Sequence, residues 1–165
     1  MRNRVVLWSV IACLLLGSVG AGMAQGGVWD DADIVHTIED INAAFDVSSR
    51  GRVTVTNTVV SIMADGRVQI SFDASVSQPN GETTTINGII AILIGLLRPN
   101  GFYVYRLEDI LISSSVDPTV ERGLTPRTLS FIAADWNRYL RTAFADVARP
   151  LEMQVSEGGI AARSR

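Results

Sequence analysis

The chain contains no lysine; all 14 of its basic residues are arginine. It has one cysteine and one histidine, Cys13 and His36. Cys13 lies in the N-terminal segment. Once that segment is removed, disulfides, thiol catalysis and cysteine-metal sites are all excluded. A lone histidine needs a partner and a pocket to act as a general base. No serine–histidine–acid arrangement is readable, so His36 reads as a solvated or capping residue. Loss of Arg2 and Arg4 leaves 12 arginines against 17 acids, a formal charge of −5. No basic stripe suggests nucleic acid, and no run of arginines invites an anionic membrane surface. Asp30, Asp31, Asp33, Glu39 and Asp40 match no calcium loop, which would need a central glycine and a terminal glutamate. They read as helix N-terminal acids. No phosphate-cradling glycine loop occurs. The sequence therefore gives no reason to expect a metal, a cofactor or enzymatic activity.

Arg2 and Arg4 precede an apolar run from Val5 to Leu16, and small residues follow to Ala24. That is the layout of a secretory signal peptide, with cleavage after Ala24 and export to the periplasm or the medium. The apolar run is short for a membrane span, so no span is expected in the mature chain. Val10-Ile11-Ala12-Cys13 resembles a lipoprotein box, and lipidation at Cys13 is the alternative. Leu14, Leu15 and Leu16 follow it, where a polar tether would be normal.

At 165 residues the chain is long enough for one domain, here residues 25–160 with a flexible 161–165 tail. Its centre is an antiparallel ribbon from about Arg52 to Ser115. Turn signals at Asp65-Gly66, Pro79-Asn80-Gly81 and Pro99-Asn100-Gly101 separate four segments rich in Val, Ile, Thr, Phe and Tyr. Asp-Gly suggests a two-residue type I′ turn. That register places Met63 opposite Val68, Ser61 opposite Ile70, Val59 opposite Phe72 and Asn57 opposite Ala74. Each Pro-Asn-Gly suits a three-residue loop with glycine in the left-handed position. The first pairs Ala74 with Ile86, Phe72 with Gly88, and Val68 with Ile92. The second pairs Leu96 with Val104, Ile94 with Arg106, and Ile90 with Ile110. One face then carries Val68, Ile70, Phe72, Ile90 and Ile92. The reverse face of the last hairpin is also apolar: Ile89, Leu93, Leu97, Tyr103, Tyr105, Leu107 and Leu111. A ribbon apolar on both faces must be covered twice or keep part of a face for a ligand. These seven residues are the candidate ligand-binding set. Arg106 and Glu108 interrupt the first face and read as an ion pair at the sheet margin. Asn57 reads as a margin or bulge residue.

Before the ribbon, Ile34, Ile38, Ile41 and Phe45 recur at helical spacing. A helix over at least Ile38 to Phe45 is expected. If Thr37 caps it with Asp40 returning the bond, residues 28–35 enter as a strand. After the ribbon, residues 116–123 form a loop. Thr125-Pro126 then has the chemistry of a helix start. Leu129, Ile132, Trp136, Tyr139, Leu140, Phe144 and Val147 form a wide apolar stripe, with Asp135 and Arg138 on the other side. Pro150 ends the helix, Leu151 to Ser156 alternates as a closing strand, and the tail after Gly158-Gly159 frays.

This order of a short helix with Ile41-Asn42, a long meander, the amphipathic 125–147 segment and a strand from Met153 resembles small bacterial extracytoplasmic members of the tubular lipid-binding (TULIP) superfamily. The likeness is architectural and transfers no site residue. It implies a curved sheet wrapped on a helix around an apolar cavity. The expectation is an α+β fold: N-terminal helix, four-stranded antiparallel meander, long C-terminal amphipathic helix and closing strand. The expected function is non-enzymatic binding of a lipid or other apolar small molecule. The alternative is an envelope domain that binds a protein partner through an apolar sheet face. A cavity between sheet and late helix favours the first, and a filled core with an exposed patch favours the second.

Overall fold

The computed structural model describes residues 30–112 and 124–165. The expected export segment with Cys13 and the expected 116–123 loop lie outside them. The fold is α+β and mostly sheet. Strand β1 (Ile34–Thr37) leads into helix α1 (Ile38–Ala44), followed by strands β2 (Val53–Ile62), β3 (Val68–Ser77), β4 (Thr83–Leu97) and β5 (Tyr103–Ile112). Helix α2 (Phe131–Ala143) and strands β6 (Leu151–Ser156) and β7 (Gly159–Ser164) complete the order. The meander forms a four-stranded antiparallel sheet, β2-β3-β4-β5. A second, three-stranded sheet has the order β1-β7-β6. No described helix is long and apolar enough to cross a membrane.

Both Pro-Asn-Gly loops have the expected form. Gly81 N–H returns to Gln78 O and Gly101 N–H to Arg98 O, with both glycines at positive φ. Ala74 pairs with Ile86 and Leu96 with Val104, as expected. The Asp65-Gly66 turn does not have the expected form. Met63 N–H donates to Arg67 O, and Gly66 N–H to Met63 O, so the loop has three residues and Ile62 pairs with Val68. A type I′ turn needs positive φ at both central residues; here only Gly66 has it, at 80°. Asp65 instead accepts from the Arg67 backbone and guanidinium at 3.1 and 2.8 Å.

Three register shifts then decide which side chains face inward. One lies between Thr56 and Val59 on β2, one between Ile86 and Ile89 on β4, and one between Leu107 and Asp109 on β5. Each inserts a residue and turns the rest of its strand over. Past the first, Val60 and Ile62 point inward instead of Val59 and Ser61. Past the second, Phe72 pairs with Ile89 rather than Gly88, and Val68 with Leu93 rather than Ile92. Past the third, Ile90 meets Leu111 rather than Ile110.

Asp73 ties two of these bulges together. Its carboxylate accepts from Asn57 Nδ2 at 2.7 Å and from Gly88 N at 2.8 Å. Asn57 has φ 56° and Gly88 φ 70°. The Asn57 amide, then the Gly88 amide, hold the Asp73 carboxyl below its ordinary range. A lowered native pKa stabilises the fold above the ordinary aspartate range, and the contribution is lost as pH falls through it. At neutral pH, Asp73→Ala should lose about 1–2 kcal/mol, a partly solvated pair of charge-assisted bonds. The gap to wild type should close below about pH 4. Urea unfolding at several pH values measures both; a gap independent of pH would exclude the carboxylate as its source.

The ends of the domain differ from expectation. The first element is a strand rather than a helix, as the alternative with a Thr37–Asp40 capping box implied. Helix α1 is only seven residues long and starts at the Thr37–Asp40 capping box. Asp31 and Asp33 belong to no helix: Asp31 pairs with Arg163, and Asp33 accepts from Ser164 N–H at 2.7 Å. These contacts tie down the expected flexible tail, which is β7, the middle strand of the second sheet. Helix α2 is 13 residues long and begins at Phe131; residues 126–130 form turns. Thr125 does act as a cap, but for this turn: Thr128 N–H donates to its hydroxyl and Leu129 N–H to its carbonyl. Asp135 is buried rather than outward. It accepts from Ser48 N–H at 3.0 Å, Arg50 at 3.1 Å and Arg138 at 2.9 Å, fixing α2 to the chain that enters β2.

Candidate functional site

Strand β4 carries apolar side chains on both faces, and the structure treats the two rows differently. Of the expected ligand-binding set, Ile89, Leu93 and Tyr105 are buried in the core, and Tyr103 and Leu107 pack partly buried against it. Helix α2 lies over this inner face. Trp136 meets Tyr105 edge-on at 6.0 Å and Phe45 at 5.2 Å. Asn137 accepts from Tyr105 N–H at 2.8 Å and donates to its carbonyl at 2.7 Å, so the helix also closes the β5 edge there. Tyr105 fits because Gly95 faces it: a Cβ there would lie 3.0 Å from the Tyr105 ring. Burial pushes the Tyr105 hydroxyl well above its ordinary pKa. Two members of the set lie apart from the rest. Leu97 sits at the end of β4 and is 57% exposed. The extra residue at Glu108 turns Leu111 to the opposite face, where it is 48% exposed.

That opposite face is the candidate site. Ile90, Ile92, Ile94 and Leu96 form its central row on β4. Ile90, Ile92 and Ile94 are half-buried, yet none of them packs against the core. Leu111 stands beside Ile90, and Val104 beside Leu96, with Leu96 44% exposed. Polar residues flank the row: Ser71 and Gln69 on β3, Arg106 and Asp109 on β5. Glu108 pairs with Arg67 at 3.6 Å, not with Arg106 as its spacing suggested. The surface is an apolar strip with a polar margin on a four-stranded antiparallel sheet. Its chemistry is desolvation; it carries no acid, base or nucleophile aimed at a common point.

His36 lies elsewhere. Its Nε2 is 3.1 Å from Ala143 O, and its ring meets Phe144 edge-on at 5.0 Å. A carbonyl only accepts, so this nitrogen carries the proton and caps the end of α2. Among the described residues no group of three His, Cys, Asp or Glu side chains is placed to hold a metal ion. Compared with protein-family models, with curated proteins and with solved structures, the chain matches none.

Proposed function

We propose that this protein is an exported, non-enzymatic interaction domain that binds a protein partner through the outer face of its four-stranded sheet. The observation that carries this reading is the unequal fate of the two β4 rows. Ile89, Ala91 and Leu93 are buried in the core, while Ile90, Ile92, Ile94 and Leu96 meet no covering element among the described residues. Exposed apolar strips with polar rims mark association surfaces. A lipid or other apolar small molecule would need a concave wall that buries most of its surface. Of the residues expected to supply that wall, Ile89, Leu93 and Tyr105 are core residues and Leu97 and Leu111 are exposed on different faces, and a sheet face offers an acyl chain one side only. An apolar strip with a polar rim fits a partner that brings its own opposing surface.

The test places a photo-crosslinking residue at Ile92 in the exported protein in its own host. A second variant carries it at Thr54, on the same face but on the polar β2 edge strand beside Ser75, away from the β4 row. The proposal expects one discrete protein adduct from position 92 and none from 54. Adding Ile94→Arg should abolish the adduct and leave the melting temperature within about 2 °C of wild type, because surface changes move stability little. Adducts with lipid alone, or no adduct, would overturn the partner reading.

A further inference from the structure

A second surface feature has no part in that reading. A cleft of about 390 Å³ opens between the β4–β5 turn and the last turns of α2. Three arginines far apart in sequence line it: Arg98 after β4, Arg141 on α2 and Arg149 before β6. No acidic residue lines it. Arg50 and Arg138 share Asp135, Arg67 has Asp65 and Glu108, and Arg163 has Asp31 and Glu152, while Arg52, Arg106, Arg127 and Arg165 have no ion pair among the described residues but do not line this cleft. Arg98, Arg141 and Arg149 have no ion pair among the described residues. Arg141 also lies in the last turn of α2, where a cation suits the helix dipole. Arg149 lies over the Phe102 ring at 5.1 Å, which holds its guanidinium at the cleft wall. Neither local role explains why three cations without an ion pair among the described residues line one concavity in a chain with an excess of acids.

We propose that this cleft binds a phosphate group carried on an organic molecule. A carboxylate has two oxygens and is satisfied by one guanidinium fork. Three forks around one space suit a tetrahedral dianion, which presents oxygens on several sides. The remaining wall mixes Asn100 and Asn137 with Phe102, Val104 and Ala134, and these apolar side chains leave room for the carbon body of the ligand. The volume lies within the ordinary range for small-molecule sites. The phosphate can come from a soluble organic phosphate or from a phospholipid headgroup.

Two probes separate these sources: phenyl phosphate titrated by calorimetry, and vesicles of phosphatidylcholine with or without phosphatidic acid. Arg98→Gln and Arg141→Gln should each weaken binding about tenfold or more, the worth of a charge-assisted hydrogen bond. Arg127→Gln, an exposed arginine outside the cleft, should change nothing. Binding of phenyl phosphate alone supports a soluble ligand, and binding of phosphatidic acid vesicles alone supports a headgroup. No binding of either, or equal loss in the Arg127 variant, overturns the proposal. Ile94→Arg should leave phenyl phosphate binding intact, so failure of the partner surface and failure of this cleft are read separately.

Discussion

Leu93→Gln should lower the melting temperature of the protein by about 15 °C, while Ile92→Gln, the neighbouring residue on the same strand, should shift it by about 2 °C or less. Leu93 is 0% exposed and pairs with Val68 on one side and Leu107 on the other. Its replacement removes about 1.5–3 kcal/mol of apolar burial. It also buries an amide without partners, at about 1–3 kcal/mol more. The sum is about 4 kcal/mol in a domain of this size. Ile92 faces outward between Gln69 and Asp109, where a glutamine amide reaches water. Thermal unfolding of the two variants measures the contrast directly. A small shift for Leu93→Gln, with loss of apolar-ligand binding, would mean that the inner face lines an open site. That result would restore the lipid reading and remove the ground for a partner on the outer face.

The same pair of residues shows where sequence reasoning works and where it stops. The alternation of β4 is legible, and so is the fact that both of its rows are apolar. The three-residue loops are legible because Pro, Asn and Gly each satisfy a backbone requirement of that turn. The face assignment is not legible, because it depends on the bulges. The bulge at Gly88 exists because Asp73, on the neighbouring strand, accepts its amide together with the Asn57 side chain. That is a contact between three strands, invisible to a two-strand register. Asn57 itself does carry a signal: a polar, left-handed-tolerant residue in an apolar row. The tail departs from expectation for a similar reason. Gly159 to Ser164 lacks the bulk of an edge strand, but small residues are what the middle of a sheet between β1 and β6 admits; a Cβ at Gly159 would fall 2.2 Å from His36 O. The arginine cleft leaves no local trace, since Arg98 and Arg141 meet only because Asn137 fixes α2 to β5.

Gly101→Ala should cost about 4 kcal/mol, and Gly81→Ala, in the same loop type, about 1–2 kcal/mol. Both glycines occupy the left-handed position of a Pro-Asn-Gly loop, with φ 81° and 86°. The strain of placing a Cβ there is common to both, about 1–2 kcal/mol. Their surroundings differ. Gly81 faces open space, whereas a Cβ at Gly101 would lie 1.5 Å from Leu151 O and 2.6 Å from Leu151 C. Both atoms are backbone, so no rotamer relieves the overlap. The β4–β5 turn must lift from β6. Lifting it breaks the Leu151 N–H bond to Asn100 O at 3.2 Å and loosens the packing of buried Phe102 and Leu151. One lost hydrogen bond contributes about 1 kcal/mol, and partial exposure of two large side chains contributes the rest. Guanidinium unfolding of the two variants isolates the contact, because their difference cancels the shared strain. The Gly101 variant should also lose the cleft, because Arg98 and Phe102 move with the turn while Arg149 stays beside β6. Equal stability of the two variants would mean that the turn does not press on β6, and that the two sheets are joined through the core alone.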